Sequence, residues 1–345
     1  MSFFRDNIEQ MAAYVPGAQP PAGAEVIKLN TNENPYPPSP RVAEALATFD
    51  AETLRVYPDA TAGVLRQAAA EAMDVPPGWI LPGNGSDDAI MMIARAACAP
   101  RRLVACPVPT FTYYRTQAQV ETAGPLEVPY GEDYALPVDA LAESGAAVTF
   151  VANPNSPSGT AAPTEQLGEL AERLSGLLVV DEAYVDFADE TALGLVERCD
   201  NVIVLRTLSK GYSLAGLRVG FAVARPALLE ALCKTKQIYN VGALPAALGA
   251  AALRDADWKD ANVERVRAAR AELTAGLRAM GWRVWDSQAN FVLARPGGGD
   301  AAAVHAMLKD SGILVRYFQA PRLDDKLRIT VGTDEQNAAL LKALM

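Results

Sequence analysis

Lys210 stands in the run T-L-S-K-G-Y-S-L-A-G-L-R-V-G over 207–220, directly behind an apolar segment at 201–206 that reads as a strand. A hydroxyl, a lysine, three glycines and an arginine crowd into a stretch that should turn. Such a stretch suits a lysine that bonds an aldehyde covalently beside an anion site. The glycines let backbone approach a ligand closely. Ser209 and Arg218 can hold phosphate oxygens, the arginine through its planar fork. A lysine in a glycine-rich turn is also an ordinary solvated loop residue, so the rest of the chain has to supply partners.

Asp181 ends an apolar run in V-V-D-E-A-Y over 179–184. The carboxyl ends of buried parallel strands are where α/β sheets receive ligands. An aspartate after a strand equally suits a helix N-cap, and pattern alone leaves the two even. G-N-G-S-D-D over 83–88 precedes a helical run at 89–97, and amides at a helix N-terminus favour anions. It is not a dinucleotide fingerprint, because Asp88 stands where the third glycine belongs and no strand clearly precedes it.

These groups need a scaffold. At 345 residues, half of them apolar, the length suggests about two domains. Short continuous apolar runs at 103–106, 148–152, 177–180, 202–205 and 219–223 suit strands buried on both faces. They alternate with helical segments, which argues for an α/β layered domain with a mostly parallel sheet. Residues 41–49 and 62–73 read as helices. Residues 15–40, rich in Pro, Gly and Asn, read as an extended arm. One long helical stretch at 246–280 leads to a small α+β domain with strands at 282–285, 291–294, 313–317 and 327–331.

Composition removes several functions. A net charge of −10 argues against a general nucleic-acid surface. Cys98, Cys106, Cys199 and Cys233 lack metal-ligand spacing and read as small apolar residues or free thiols in a reducing compartment. The single histidine, His305, rules out a His-rich zinc site and leaves Ser-His-Asp catalysis without support, so it reads as structural. No stretch approaches the ~18 apolar residues of a membrane span, and the N-terminus lacks a signal pattern. The expectation is a soluble cytoplasmic protein with no metal, membrane or nucleic-acid partner.

The run S-K-G-Y-S-L-A-G-L-R-V-G at 209–220 resembles the Schiff-base lysine motif of fold-type I, class-II pyridoxal-phosphate (PLP) aminotransferases. It is most similar to the histidinol-phosphate aminotransferase family. The resemblance implies a large PLP-binding domain at 41–245 with a mostly parallel seven-stranded sheet between helices. It adds a small domain at 246–345, and an arm at 1–40 that forms part of the small domain. It gives Lys210 the cofactor aldehyde, Asp181 the pyridine nitrogen and Tyr184 the ring oxygen. The backbone amides of Ser86 and Asp87, with Ser209 and Arg218, would hold the phosphate, helped by Tyr57 of a second subunit, which implies a homodimer with shared sites. Phe111, in P-V-P-T-F over 107–111, would cover the ring; an ordinary core aromatic is the alternative.

N-P-N-S-P-S-G at 153–159 resembles the family loop N-P-x-N-P-T-G, with Ser156 where an asparagine normally helps Tyr184; Asn155 is adjacent. Arg328, in L-R-I-T-V-G over 327–332, matches the arginine that forks onto the substrate carboxylate. Arg316 is a second candidate anion ligand. Tyr14 and Asn32 match the arm that covers the substrate. Gly242 departs from the family pattern after Asn240.

The implied reaction is a ping-pong transamination of L-histidinol phosphate with 2-oxoglutarate, giving imidazole-acetol phosphate and glutamate, with freed Lys210 as general base. An aromatic amino-acid aminotransferase or a threonine-phosphate decarboxylase shares the same cofactor motifs. A PLP-sensing regulator would need an attached basic DNA-binding module, and only a short arm precedes Lys28.

Overall fold

A computed structural model describes residues 3–13, 17, 19–20, 23 and 25–345. Its strands in chain order are β1 (Ile27–Leu29), β2 (Ile80–Gly83), β3 (Leu103–Val108), β4 (Gly124–Pro129), β5 (Val148–Ala152) and β6 (Leu177–Asp181). They continue with β7 (Val202–Thr207), β8 (Gly220–Val223), β9 (Arg283–Val284), β10 (Phe291–Arg295), β11 (Ile313–Tyr317) and β12 (Leu327–Thr330).

Seven strands form one sheet in the order β2-β8-β7-β6-β5-β3-β4. All neighbours are parallel except those of β8, which runs against β7 and β2. Successive residues of β6 and β7 divide between two apolar clusters. Leu178, Val180, Val202 and Val204 join one, while Val179, Ile203 and Leu205 join the other. Alternate side chains of a strand point to opposite faces. Helices cover both faces, so the strands read as unbroken apolar runs. This is the α/β sheet expected from the sequence.

The second sheet has the order β1-β11-β12-β10-β9 and packs on the helices Ala256–Ala279 and Asp334–Ala343. β1 comes from the arm and pairs in parallel with β11. That pairing is regular structure where the composition of 15–40 suggested none.

Three elements differ from the sequence expectations. β2 and β4 carry prolines, and β4 alternates between buried and exposed residues, so neither shows the continuous apolar signal of the central strands. β2 therefore does precede the glycine loop at 83–88. It pairs antiparallel with β8, so it does not open a βαβ dinucleotide unit. The helical stretch at 246–280 is two helices, Ala243–Leu253 and Ala256–Ala279. At the break, Ser39 bonds the Asp255 carboxylate and Arg41 donates to Arg254 O at 2.9 Å. The joint is set by the start of another helix, which no local pattern at 254–255 reveals. Among the described residues no helix is long and apolar enough to cross a membrane.

Candidate active site

The carboxyl ends of β5, β6 and β7 meet at one edge of the large sheet. Ala152 is in register with Asp181, and Asp181 with Leu205. The loops leaving these strands carry Ser156, Tyr184 and Lys210. They face β11, β12 and the arm across a cavity of about 710 Å³.

Asp181 forms part of the floor and is 5% exposed. Its Oδ1 accepts from Ala183 N at 3.1 Å and its Oδ2 from the Tyr114 hydroxyl at 2.7 Å. Burial pushes its carboxyl up to about 6, while the Tyr114 and Ala183 bonds hold it down. The N-cap alternative fails, because the next helical turn, Val185–Phe187, has Tyr184 rather than Asp181 at its N-cap position. Phe111 lies edge-on to Tyr114 with ring centroids 5.5 Å apart, and it lines the cavity.

Lys210 lines the same cavity. Its Nζ is 3.4 Å from Thr31 O and lies 5.7 Å from the centre of the Tyr184 ring. The arm fixes the lysine backbone, since Asn34 Nδ2 donates to Lys210 O at 3.0 Å and to Gly211 O at 3.3 Å. Asn32 Nδ2 donates to the Tyr184 hydroxyl at 2.9 Å. Asn32 thus lines the cavity while its side chain serves Tyr184 and Thr330.

An anion cup forms where the helix Ser86–Ala97 begins beside Arg218 and Ser209. Arg218 Nη2 pairs with Asp87 at 3.1 Å and Nη1 reaches Ser209 Oγ at 3.4 Å. The cup depends on glycine. A Cβ on Gly85, at φ +78°, would sit 2.6 Å from Arg218 Nη2, and one on Gly220 would sit 2.4 Å from Ser86 N. The glycines flanking this lysine motif therefore admit protein atoms: Gly220 the Ser86 backbone, and Gly211 the Asp186 carboxylate.

On the opposite wall Arg316 and Arg328 are direct cross-strand partners on β11 and β12. Directly opposed residues project from the same face of a sheet, and both arginines line the cavity. Arg328 Nη1 donates to Ser156 Oγ at 2.9 Å and Nη2 to Asn30 O at 3.1 Å. Ser156 therefore spans from the β5 loop to this arginine.

One expected position falls elsewhere. Asn155 does not line the cavity. It is 1% exposed, its Oδ1 accepts from Thr110 and its Nδ2 bonds Pro109 O and Ser158 Oγ, so it holds the loop that presents Ser156. Tyr57 lies outside this chain's own cavity, 80% exposed and stacked on Tyr239 at 4.6 Å. Tyr14 lies outside the described residues. Asn240 bonds Pro82 O and Asp88 and so anchors the end of β2. His305, in the helix Ala301–Asp310, lies tilted at 32° against Tyr317 with ring centroids 5.7 Å apart.

Sequence reading missed Tyr114, Thr31 and Arg322. Arg322 donates to Val108 O at 3.2 Å and Gly131 O at 2.9 Å, tying its loop to the ends of β3 and β4. Adjacent Tyr113 and Tyr114 look alike in sequence, and only the fold sends one to Asp181. Asn34, expected with Asn32 in the N-E-N run of the arm, holds the lysine backbone.

The profile described as aminotransferase class I and II matches residues 24–344. A histidinol-phosphate aminotransferase from Trichormus variabilis is 52% identical over 99% of this chain and 98% of its own length. One from Geobacter sp. strain M21 is 44% identical over 100% and 98%. The crystal structure of histidinol-phosphate aminotransferase from Sinorhizobium meliloti in complex with pyridoxal-5'-phosphate superposes with a TM-score of 0.90 at 26% identity, covering 100% of this chain and 97% of that one. With a family profile and relatives that run along nearly its whole length, the chain belongs to the class I and II aminotransferase family.

Proposed function

We propose that the chain catalyses the PLP-dependent transamination of L-histidinol phosphate with 2-oxoglutarate, forming imidazole-acetol phosphate and glutamate in histidine biosynthesis. The observation that carries the substrate choice is the Arg316–Arg328 pair. Like charges directly opposite across strands are destabilising. A phosphate dianion, or the two carboxylates of glutamate, compensates both guanidiniums. Phenylalanine, with one carboxylate, compensates one. The names and full-length coverage of the two relatives support the same substrate.

The residues fit the cofactor. A primary amine, a buried carboxylate and a glycine-built anion cup face one cavity, as an aldehyde, a pyridine nitrogen and a phosphate require. When bound, PLP supplies the aldehyde and an electron-withdrawing ring. Lys210 Nζ carries the proton removed from the substrate Cα, as general base. Asp181 would hold the ring nitrogen and Phe111 would cover one ring face. The Tyr184 hydroxyl would donate to the ring oxygen. The backbone amides of Ser86 and Asp87, with Ser209 and Arg218, would hold the phosphate. Arg328 forks onto the substrate anion with Ser156 beside it, and Arg316 takes the second charge.

The same reading makes the enzyme a cytoplasmic homodimer. Exposed Leu54, Val56, Tyr57 and Ile238 offer an apolar patch for a second copy, and Tyr57 of the partner subunit would complete the phosphate cup.

The test is the single half-reaction of the PLP form, followed by absorbance, with L-histidinol phosphate, L-phenylalanine and L-threonine phosphate in turn. Histidinol phosphate should convert fastest. Faster conversion of phenylalanine, or release of carbon dioxide from threonine phosphate, overturns the assignment.

A further inference from the structure

Tyr114 is fully buried, yet its hydroxyl ends on a carboxylate at the floor of the cavity. Its ring is locked. It stacks on Phe150 at 4.8 Å and 4°, and Phe111 abuts it at 88°. The phenol therefore has little freedom to point anywhere but at Asp181 Oδ2. Ala183 N takes Oδ1, so two acceptor sites of the carboxylate are used, and Asp181 lines the cavity with the rest free to accept.

We propose that Tyr114 is a positioning residue, whose hydroxyl keeps Asp181 ionised and aimed at the cofactor ring nitrogen. A donor bonded to the charged form of an acid favours that form. The surroundings otherwise oppose the charge. Burial comes first, and Asp87 and Glu182 add negative charge. Cys106 and Tyr130, which act on Tyr114, are held protonated by burial and so add no charge beside it. Against these, the Tyr114 hydroxyl and the Ala183 amide stabilise the anion, the Tyr114 bond more strongly. Tyr114 itself cannot take the charge, because burial and Asp181 lift its phenol well above its ordinary range.

The inference rests on the ring nitrogen lying at Asp181, as proposed above. The experiment measures equilibrium binding of PLP and of its 1-deaza analogue, which has a ring C–H in place of the nitrogen, to the cofactor-free protein. Wild type should prefer PLP. Tyr114→Phe keeps the ring and both aromatic contacts. It should bind PLP about tenfold more weakly, the loss of one bond to a charged group. It should bind the deaza analogue within about twofold of wild type, which also reports that the variant is folded. If Asp181→Asn loses the preference for PLP while Tyr114→Phe keeps it, the role of Tyr114 is overturned and the placement of the ring nitrogen stands. If wild type shows no preference, the placement falls and the inference with it.

Discussion

The Asn32 amide donates to the Tyr184 hydroxyl at 2.9 Å, so the phenol's own hydrogen is directed away from Asn32. Asn32 is itself held at both ends. Thr330 Oγ1 accepts from its N–H at 3.0 Å, and Asn290 donates to its carbonyl at 3.0 Å. Its φ of +57° lies in the left-handed region, which asparagine and glycine tolerate. Asn32→Gly should therefore keep the backbone while releasing Tyr184. Transamination should fall about tenfold, the scale of one lost buried hydrogen bond. Unchanged kcat and cofactor affinity would remove Asn32 from the positioning of Tyr184.

Lys210→Ala should fold, because the lysine peptide is held through its backbone by Asn34. Loss of the general base alone should lower turnover by ~10²–10⁴-fold. Single-turnover kinetics of the folded variant check this. Substantial transamination by that variant refutes the assignment of Lys210.

Arg316 and Arg328 should separate by substrate. Arg316→Ala should reduce kcat/KM for histidinol phosphate and glutamate by ~10–100-fold, mostly through KM. Phenylalanine should change by less than about threefold, since it needs one cation. Arg328→Lys should weaken all donors, because a lysine cannot reproduce the forked contact that now spans Ser156 and Asn30. Equal losses for all donors with Arg316→Ala would make that residue structural.

Asp181 gives the cofactor-free protein a pH signature. Burial raises its folded pKa to about 6, above the ~3.9 of an unfolded aspartate. Between these values the folded chain keeps a proton that the unfolded chain has lost, so stability falls as pH rises through the window. Asp181→Asn removes this contribution. Wild type should lose on the order of 1–3 kcal/mol relative to the variant between about pH 4 and 7. Urea unfolding at each pH measures it, and a flat difference would contradict a buried, titrating Asp181.

The proposed sharing of sites between two subunits predicts complementation. Tyr57→Phe and Lys210→Ala, each weak alone, should regain activity when co-expressed, because a mixed dimer keeps one intact site. Random pairing sets the ceiling at about a quarter of wild type. No gain over the separate variants would place Tyr57 outside the catalytic unit.

The central strands and the acid at the end of β6 were legible because burial on both faces writes continuous apolar runs, and a change to Asp at such a run's end stands out. The lysine motif and the two arginine strands were legible for the same reason: their chemistry is carried by consecutive residues. β2 and β4 were harder, since prolines and one-sided burial at a sheet edge erase that signal. The helix break at 254–255 was invisible because its cause, Ser39 and Arg41, lies more than two hundred residues away in sequence.

The sequence by itself determined which chemical groups exist and on which strand ends and loops they stand, because secondary structure and local motifs depend on neighbours along the chain. Only the tertiary structure decided which groups act on one another. It turned Asn155 into the loop and brought Ser156 to Arg328. It set Tyr114 rather than Tyr113 on Asp181, and it gave Asn32 to Tyr184. Those pairings join residues from 67 to 172 positions apart for the three long-range bonds, so strand order and packing, not local spacing, select them.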